Sequence, residues 1–212
     1  MVVGLLILTS IPVVTGVAQG YSAQKTAKQR AEDAKRMRKA YISVFCDAKS
    51  PKTIEVNDMF LVLREGKVYI DEWDPRFRKK PSYTTEAFYI EYPDAERDPI
   101  EMGLASQVQD DPPLLNWIYV KEGNGEVRYG NRSKSKSEVV GPWDWTEDEI
   151  RLTLFKEEGF VAVEPENPQD QWEVYFQVED GWVKEKVGGE RTVLPIRLER
   201  RLVPEVVASE PG

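Results

Sequence analysis

Apolar and polar positions change their period twice along this chain. Residues 1–18 read MVVGLLILTSIPVVTGVA and carry no charged side chain. Over residues 21–41, Ala23, Ala27, Ala31, Ala34, Met37 and Tyr41 recur at three- and four-residue intervals. That is the spacing of one helix face, and Ser22 is available to cap its start. The stripe is narrow and alanine-rich, so the helix buries little area and depends on a neighbour or a surface for support.

Beyond Tyr41 the pattern alternates, which sends successive side chains to opposite faces of a strand. Strands are expected at residues 42–46 and 86–91. Residues 59–63 and 67–70 make a hairpin about Glu65-Gly66, and residues 116–122 and 126–129 make a second about Gly123-Asn124-Gly125. Further strands are expected at 138–140, 150–155, 160–164 and 171–178. In the last of these, Trp172, Val174, Phe176 and Val178 face one side and Glu173, Tyr175 and Gln177 the other. A turn at Asp180-Gly181 then leads to a returning strand from Trp182, and Leu194, Ile196, Leu198 and Leu202 mark a long final strand. Residues 93–113 lack a period apart from 103–108 and read as a long surface connection.

Roughly ten short strands with frequent turns predict a mainly β fold, an antiparallel sandwich or barrel. The expected organisation is an apolar segment at 1–20, a basic helix at 21–41, a β domain at 42–203 and a tail at 204–212. No internal repeat is visible in the sequence.

Charge sharpens this division. The 212 residues hold 29 Lys and Arg against 37 Asp and Glu, a formal net charge of −8. Residues 21–40 carry Lys25, Lys28, Arg30, Lys35, Arg36, Arg38 and Lys39 against Glu32 and Asp33, a net +5 that leaves −13 for residues 41–212. An acidic domain has no general attraction for phosphate backbones, so no nucleic-acid partner is expected. The basic helix has two uses: packing on an acidic surface, or lying along an anionic membrane face through those seven side chains.

Three readings of the apolar segment stand side by side. As a membrane anchor it is short, but the basic flank would keep the domain on the cytoplasmic side. As a cleaved signal it has small residues at Gly16 and Ala18 but no basic start, and Asn131-Arg132-Ser133 would become a glycosylation sequon on a secreted protein. As a buried segment it folds back on the domain.

Residue types exclude several chemistries. Histidine is absent, which removes Ser-His-Asp and Cys-His catalysis and His-ligated zinc. A single cysteine, Cys46, permits no internal disulfide and reads as a small buried hydrophobe. No calcium loop of the Asp-x-Asp-x-Asp-Gly kind is present, and Gly123, Gly125 and Gly130 lead into a strand where a phosphate site needs a helix start. No cofactor or metal is expected.

What remains is a cluster of aromatic and acidic residues. If extended, Trp143-Asp144-Trp145 puts both rings on one face, which either fills a β core or offers a platform for a sugar ring, with Glu147 nearby. Asp110, Asp111, Glu147, Asp148 and Glu149 supply carboxylates of the kind glycoside hydrolysis uses without histidine. Thr146 and Glu149 also fit a helix capping box. The loop carrying Arg128, Arg132, Lys134 and Lys136, interleaved with Ser133, Ser135 and Ser137, suits an acidic partner or the carrying of phosphate, and its plainest reading is a solvated loop.

Four stretches carry a family resemblance. They are Asp110-Asp111-Pro112-Pro113-Leu114-Leu115-Asn116-Trp117-Ile118-Tyr119-Val120, Val127-Arg128-Tyr129-Gly130-Asn131-Arg132, Val139-Val140-Gly141-Pro142-Trp143-Asp144-Trp145-Thr146 and Gly159-Phe160-Val161-Ala162-Val163-Glu164. With the Thr9-Ser10-Ile11-Pro12 start they resemble a family of uncharacterised proteins from filamentous fungi. The resemblance implies a common fold and transfers no site. The function expected is a non-catalytic binding or interaction module tethered to a membrane. The alternatives are a carboxylate enzyme acting on carbohydrate and a secreted glycoprotein.

Overall fold

Alternation carries through to the architecture. The computed structural model describes residues 38–94, 96–110 and 113–203 and places fourteen strands among them. In chain order these begin with β1 (Ala40–Phe45), β2 (Phe60–Arg64), β3 (Lys67–Asp71), β4 (Tyr83–Thr84) and β5 (Glu86–Glu91). The middle of the chain supplies β6 (Met102–Asp110), β7 (Pro113–Val120), β8 (Val127–Gly130), β9 (Trp143–Trp145) and β10 (Leu152–Leu154). The series ends with β11 (Phe160–Val163), β12 (Trp172–Phe176), β13 (Val193–Pro195) and β14 (Arg197–Leu202). Two short helices, α1 (Arg132–Ser135) and α2 (Trp182–Val187), lie between them. No described helix is long and apolar enough to cross a membrane.

Every ladder is antiparallel, and seven strands close on themselves in the circuit β1–β2–β3–β8–β7–β6–β5–β1. The fold is therefore a closed barrel with additional strands, and closure leaves no free edge within the seven-strand circuit itself. Strand β14 extends β1, β4 extends β2, and β12, β11 and β13 extend β3 in turn. Strands β9 and β10 pair separately.

Threefold order underlies this pairing. Three hairpins, β2–β3, β7–β8 and β11–β12, are each flanked by strands that run round a ring of β1, β5, β6, β9, β10 and β14. Residues Arg151 and Glu199 bridge β10 to β14, and Gly141 brings β9 so close to β6 that a Cβ there would sit 2.6 Å from the Met102 carbonyl oxygen. The hairpins meet one another: Lys67 pairs with Arg128, Glu126 with Tyr175, and Glu173 with Tyr69.

Inward positions of these strands make one core. Ile42, Val44, Leu61, Leu63, Val68, Ile70, Leu104 and Ile118 meet Trp143, Trp145, Leu152, Leu154, Phe160, Trp172 and Val174 there. Cys46 is buried in it as well, its thiol donating to the Pro195 carbonyl oxygen. Two smaller clusters form outside. Tyr92, Ala105, Trp117, Tyr119 and Val140 make one, and α1 reaches it through the Ser135 hydroxyl, 2.8 Å from the Tyr92 hydroxyl. Helix α2 supplies Val183, Trp182 and Val187 to the other, against Val161, Val163 and Tyr175.

Several sequence expectations are corrected. The segment from Trp182 is helical because Val183 and Val187 lie one helical turn apart and cover the outer face of β11–β12, between Gly181 and Gly188 at φ +84° and +89°. The expected strand at 171–178 stops at Phe176, and Val178 is exposed. Residues 102–110 form a full nine-residue strand where a loop containing only 103–108 was expected. Residues 138–140 contribute one bridge, Val139 to Val120. The final strand is divided at Ile196. Of the expected basic helix, residues 21–37 lie outside the described residues, while Ala40 and Tyr41 belong to β1. The apolar segment at 1–20 and the tail from 204 also lie outside them.

Candidate functional site

The three hairpins bring their outward-facing side chains to one place. In β3, Val68 and Ile70 enter the core and Lys67 and Tyr69 face away from it. In β12, Trp172 and Val174 point inward and Glu173 and Tyr175 outward. At β8, Val127 is interior, with Glu126 and Arg128 on the opposite face. Around the junction is a cleft of about 480 Å³. Arg64, Lys121, Asn124, Glu166, Asp170, Gln171 and Arg191 complete much of its wall.

Its charges are arranged as a chain of ion pairs. Lys67 Nζ lies 2.7 Å from Glu126 Oε1 and 2.9 Å from Glu173 Oε1. Arg128 Nε takes Glu126 Oε2 at 2.6 Å, and Arg191 Nη2 takes Glu173 Oε2 at 2.6 Å. Arg191 also donates from Nε to the Glu164 carbonyl oxygen. Buried carboxylates need such partners, and here each has two cations.

Protonation follows this geometry. Burial alone would lower the Lys67 ammonium, but hydrogen bonds to Glu126 and Glu173 outweigh it and the pKa is raised. Burial would likewise raise Glu126, and the bonds from Arg128 and Lys67 reverse it to a lowered value. The Tyr175 hydroxyl is pushed up to about 12 by burial first and then by the charges of Glu173 and Glu126. It therefore stays a neutral donor and acceptor through the physiological range.

Arg64 differs from the other cations. It has no ion pair or hydrogen bond among the described residues, its Nε is buried without a partner, and its Cζ stands 4.7 Å from the centre of the Tyr69 ring. Lys121 and Glu166 likewise line the cleft with side chains that engage no described residue. These three groups have charge to offer a ligand.

A second cleft of about 350 Å³ lies across the β7–β8 turn. Val120, Val139, Phe155, Phe176, Val178 and Trp182 give it an apolar lining. Phe155 is held there at φ +56° and half exposed. Its nearby amide, Gln177, already accepts from the Val183 amide through Oε1.

The chain is matched by the family model for the fungal β-trefoil domain over residues 16–204. It belongs to that family. The closed antiparallel barrel and the three hairpins around one junction are consistent with the trefoil description. The β-trefoil match also supports the fungal kinship read from the motifs. No curated protein and no solved structure matches the chain.

Within the β-trefoil, the sequence-derived candidates fall elsewhere. Trp143 and Trp145 do share one face, but it is the interior one. They are 2% and 4% exposed, Trp143 stacks at 6.1 Å on Phe160, and neither ring presents a face for a ligand. Asp144 points the other way and accepts from the Trp145 amide at 2.8 Å. Glu147 is exposed on the β9–β10 turn. The expected capping box is absent because no helix starts there: the Thr146 hydroxyl donates to Asp148 and accepts from the Arg151 amide, closing a hairpin turn. Glu149 pairs with Arg200. Asp111 and the side chain of Asp110 lie outside the described residues.

The basic loop finds acidic partners within its own chain, Arg132 with Asp94 and Lys136 with Glu96. Of the seven basic residues assigned to membrane or partner contact, Lys25, Lys28, Arg30, Lys35 and Arg36 lie outside the described residues. Arg38 and Lys39 are exposed, and Lys39 reaches Glu86 at 3.4 Å. The cleft residues were missed as a site. Alternation does mark Glu173 and Tyr175 as outward, but their convergence with Lys67 and Glu126 depends on strand pairing across about 50 to 100 residues of chain.

Proposed function

We propose that this β-trefoil domain is a non-catalytic binding module and that the cleft at the hairpin junction holds a small, hydroxyl-rich ligand of the carbohydrate class. The observation that carries the reading is the convergence of paired charges and two tyrosines, Tyr69 and Tyr175, in one cleft of ligand size. Hydroxyls both donate and accept, so they match a wall of alternating carboxylates, ammonium and guanidinium groups better than an apolar molecule does.

Binding is favoured over hydrolysis by the direction of the one carboxyl shift in the cleft. A general acid must hold its proton near neutral pH, which needs a raised pKa. Glu126 is driven down. Rigid ion pairs suit a preformed recognition surface.

The test is retention of full-length protein on a panel of immobilised glycans, with Lys121→Ala and Glu166→Ala as probes. Neither side chain has a described partner to lose, so both variants keep the fold. Weaker retention on the same glycan, with no reducing sugar released, supports the proposal. A glycan held equally by the wild type and both variants places the site outside the cleft. The same proposal has residues 1–40 tether the domain to a membrane, and its test is argued below.

A further inference from the structure

We propose that the cleft selects an acidic sugar, with the ligand carboxylate on the guanidinium of Arg64 and ligand hydroxyls on the carboxylates of Glu126 and Glu173. This rests on the binding reading above and adds the sign and position of the ligand's charge.

Five cations line the cleft: Arg64, Lys67, Lys121, Arg128 and Arg191. Lys67, Arg128 and Arg191 are neutralised by Glu126 and Glu173 at 2.6–2.9 Å. Arg64 is half-buried, yet no carboxylate stands against it and its buried Nε has no partner. Residues 41–212 carry a net −13, so acidic side chains are plentiful in this domain. A partly desolvated cation without a counter-charge is costly, and a bound carboxylate would relieve that cost.

The guanidinium is also pre-aimed. Its stacking on Tyr69 at 4.7 Å uses the ring face and leaves the planar donors unspent. With Nε enclosed, an incoming oxyanion meets the two outer nitrogens, the fork that grips a carboxylate. Lys121 adds a second unengaged cation to the wall.

The remaining wall limits the charge that can enter. Glu126, Glu173, Glu166 and Asp170 would repel a polyanion, while their oxygens accept from neutral hydroxyls. A single carboxylate on a hydroxylated ring satisfies both halves, and a phosphate group does not.

Calorimetric titration of full-length protein tests this with D-glucuronate, D-glucose, acetate and inorganic phosphate as separate probes. Glucuronate is expected to bind about tenfold or more tighter than glucose, the contribution of a charge-assisted bond. Arg64→Gln should bring the two sugars within about threefold of each other, and Arg64→Lys, which keeps charge and loses the fork, should fall between. Circular dichroism confirms that each variant is folded.

Glucose binding as tightly as glucuronate overturns the acidic preference and leaves the binding reading intact. Acetate or phosphate binding as tightly as glucuronate overturns the sugar assignment. A glucuronate preference unchanged in both Arg64 variants overturns the anchor. Binding of none of the four overturns this inference, and only loss of all glycan retention as well removes the reading beneath it.

Discussion

Trp143 fills the interior next to Phe160, with nearly parallel rings 10° apart, and nothing outside the core reaches it. Trp143→Ala is therefore expected to cost about 3–5 kcal/mol, the transfer free energy of the ring plus the cavity it leaves. Urea denaturation followed by tryptophan fluorescence measures this. Glycan retention per folded molecule should be unchanged, whereas a drop at constant fold would return the ring to the ligand site. The pairing of Trp143 with Trp145 on one face was legible from two-residue spacing, but which face meets solvent depends on the strands packed opposite. Glu126 contributes through charge. Its carboxyl lies below the ordinary 4.5 in the fold, so its stabilisation is complete above that value and is lost as pH falls through the lowered one. Glu126→Gln should cost about 1–3 kcal/mol at neutral pH by leaving Lys67 and Arg128 with fewer partners. The loss should shrink on acidification, so the variant's stability falls less steeply below pH 4.5 than the wild type's. Equal slopes would show that Glu126 is not held low. Glu164, lowered by Lys52 and Thr192, keeps a residual slope in both proteins.

Hairpins hold the elements in place through close backbone contacts that glycine alone permits. A Cβ on Gly159 would lie 1.9 Å from the Gln177 carbonyl oxygen, and one on Gly125, at φ +75°, would lie 2.5 Å from that of Phe176. Both obstacles are backbone at the end of β12, which cannot swing aside as a side chain does. Gly125→Ala and Gly159→Ala should each destabilise by about 1–3 kcal/mol, with Gly159→Ala the larger. Thermal melts of both variants check the order, and a Gly159→Ala protein as stable as the wild type would mean that β11 and β12 are further apart than described. Gly125 was readable as a turn marker within residues 123–125 because strands flank it, whereas nothing local marked Gly159. The pattern gave the first hairpin and β5 with little error, since local alternation and a Gly turn determine both. It failed at α2, where six residues are too few for a helical period to separate from an alternating one. The threefold arrangement was hidden for a different reason. The hairpin connections, residues 65–66, 121–126 and 164–171, share neither length nor sequence, so the units repeat in space only. The cleft inherits that invisibility, because its charges are divided among the three units, two to four from each.

For the whole molecule, the charge division supplies the last prediction. The acidic β-trefoil domain follows a segment with net +5 and, before that, twenty uncharged residues. If residues 1–40 bind a membrane, apolar insertion and attraction to anionic headgroups act together, and each leaves a different signature. Insertion depends on buried apolar area and resists salt. The basic attraction is worth about 1 kcal/mol per residue near an anionic surface and is screened over roughly 8 Å at physiological ionic strength. Full-length protein should therefore sediment with phosphatidylserine-containing vesicles more than with neutral ones, and the difference should fade as salt rises. Deleting residues 1–20 should leave only the salt-sensitive part. Replacing Lys25, Lys28, Arg30, Lys35 and Arg36 with Gln leaves Arg38 and Lys39 balanced by Glu32 and Asp33, and should leave mainly the salt-resistant part. Both changes lie outside residues 38–203, and the tether proposal expects the melting temperature to stay within about 2 °C of the wild type, equivalent to roughly 0.5–1 kcal/mol for a domain of this size. Full-length protein that remains in the supernatant with both vesicle types would end the tether proposal. Amino-terminal sequencing of the native protein then separates the secreted alternative: cleavage after Ala18 supports it, and a retained Met1 rejects it. The sequon offers an independent check. Asn131 is exposed and caps α1 through its Oδ1, which accepts from the Lys134 amide at 3.2 Å. A glycan is joined through the amide nitrogen, so the cap can persist beside it. A secreted molecule should thus carry sugar at Asn131 without losing stability, whereas a membrane-tethered molecule facing the cytoplasm should carry none.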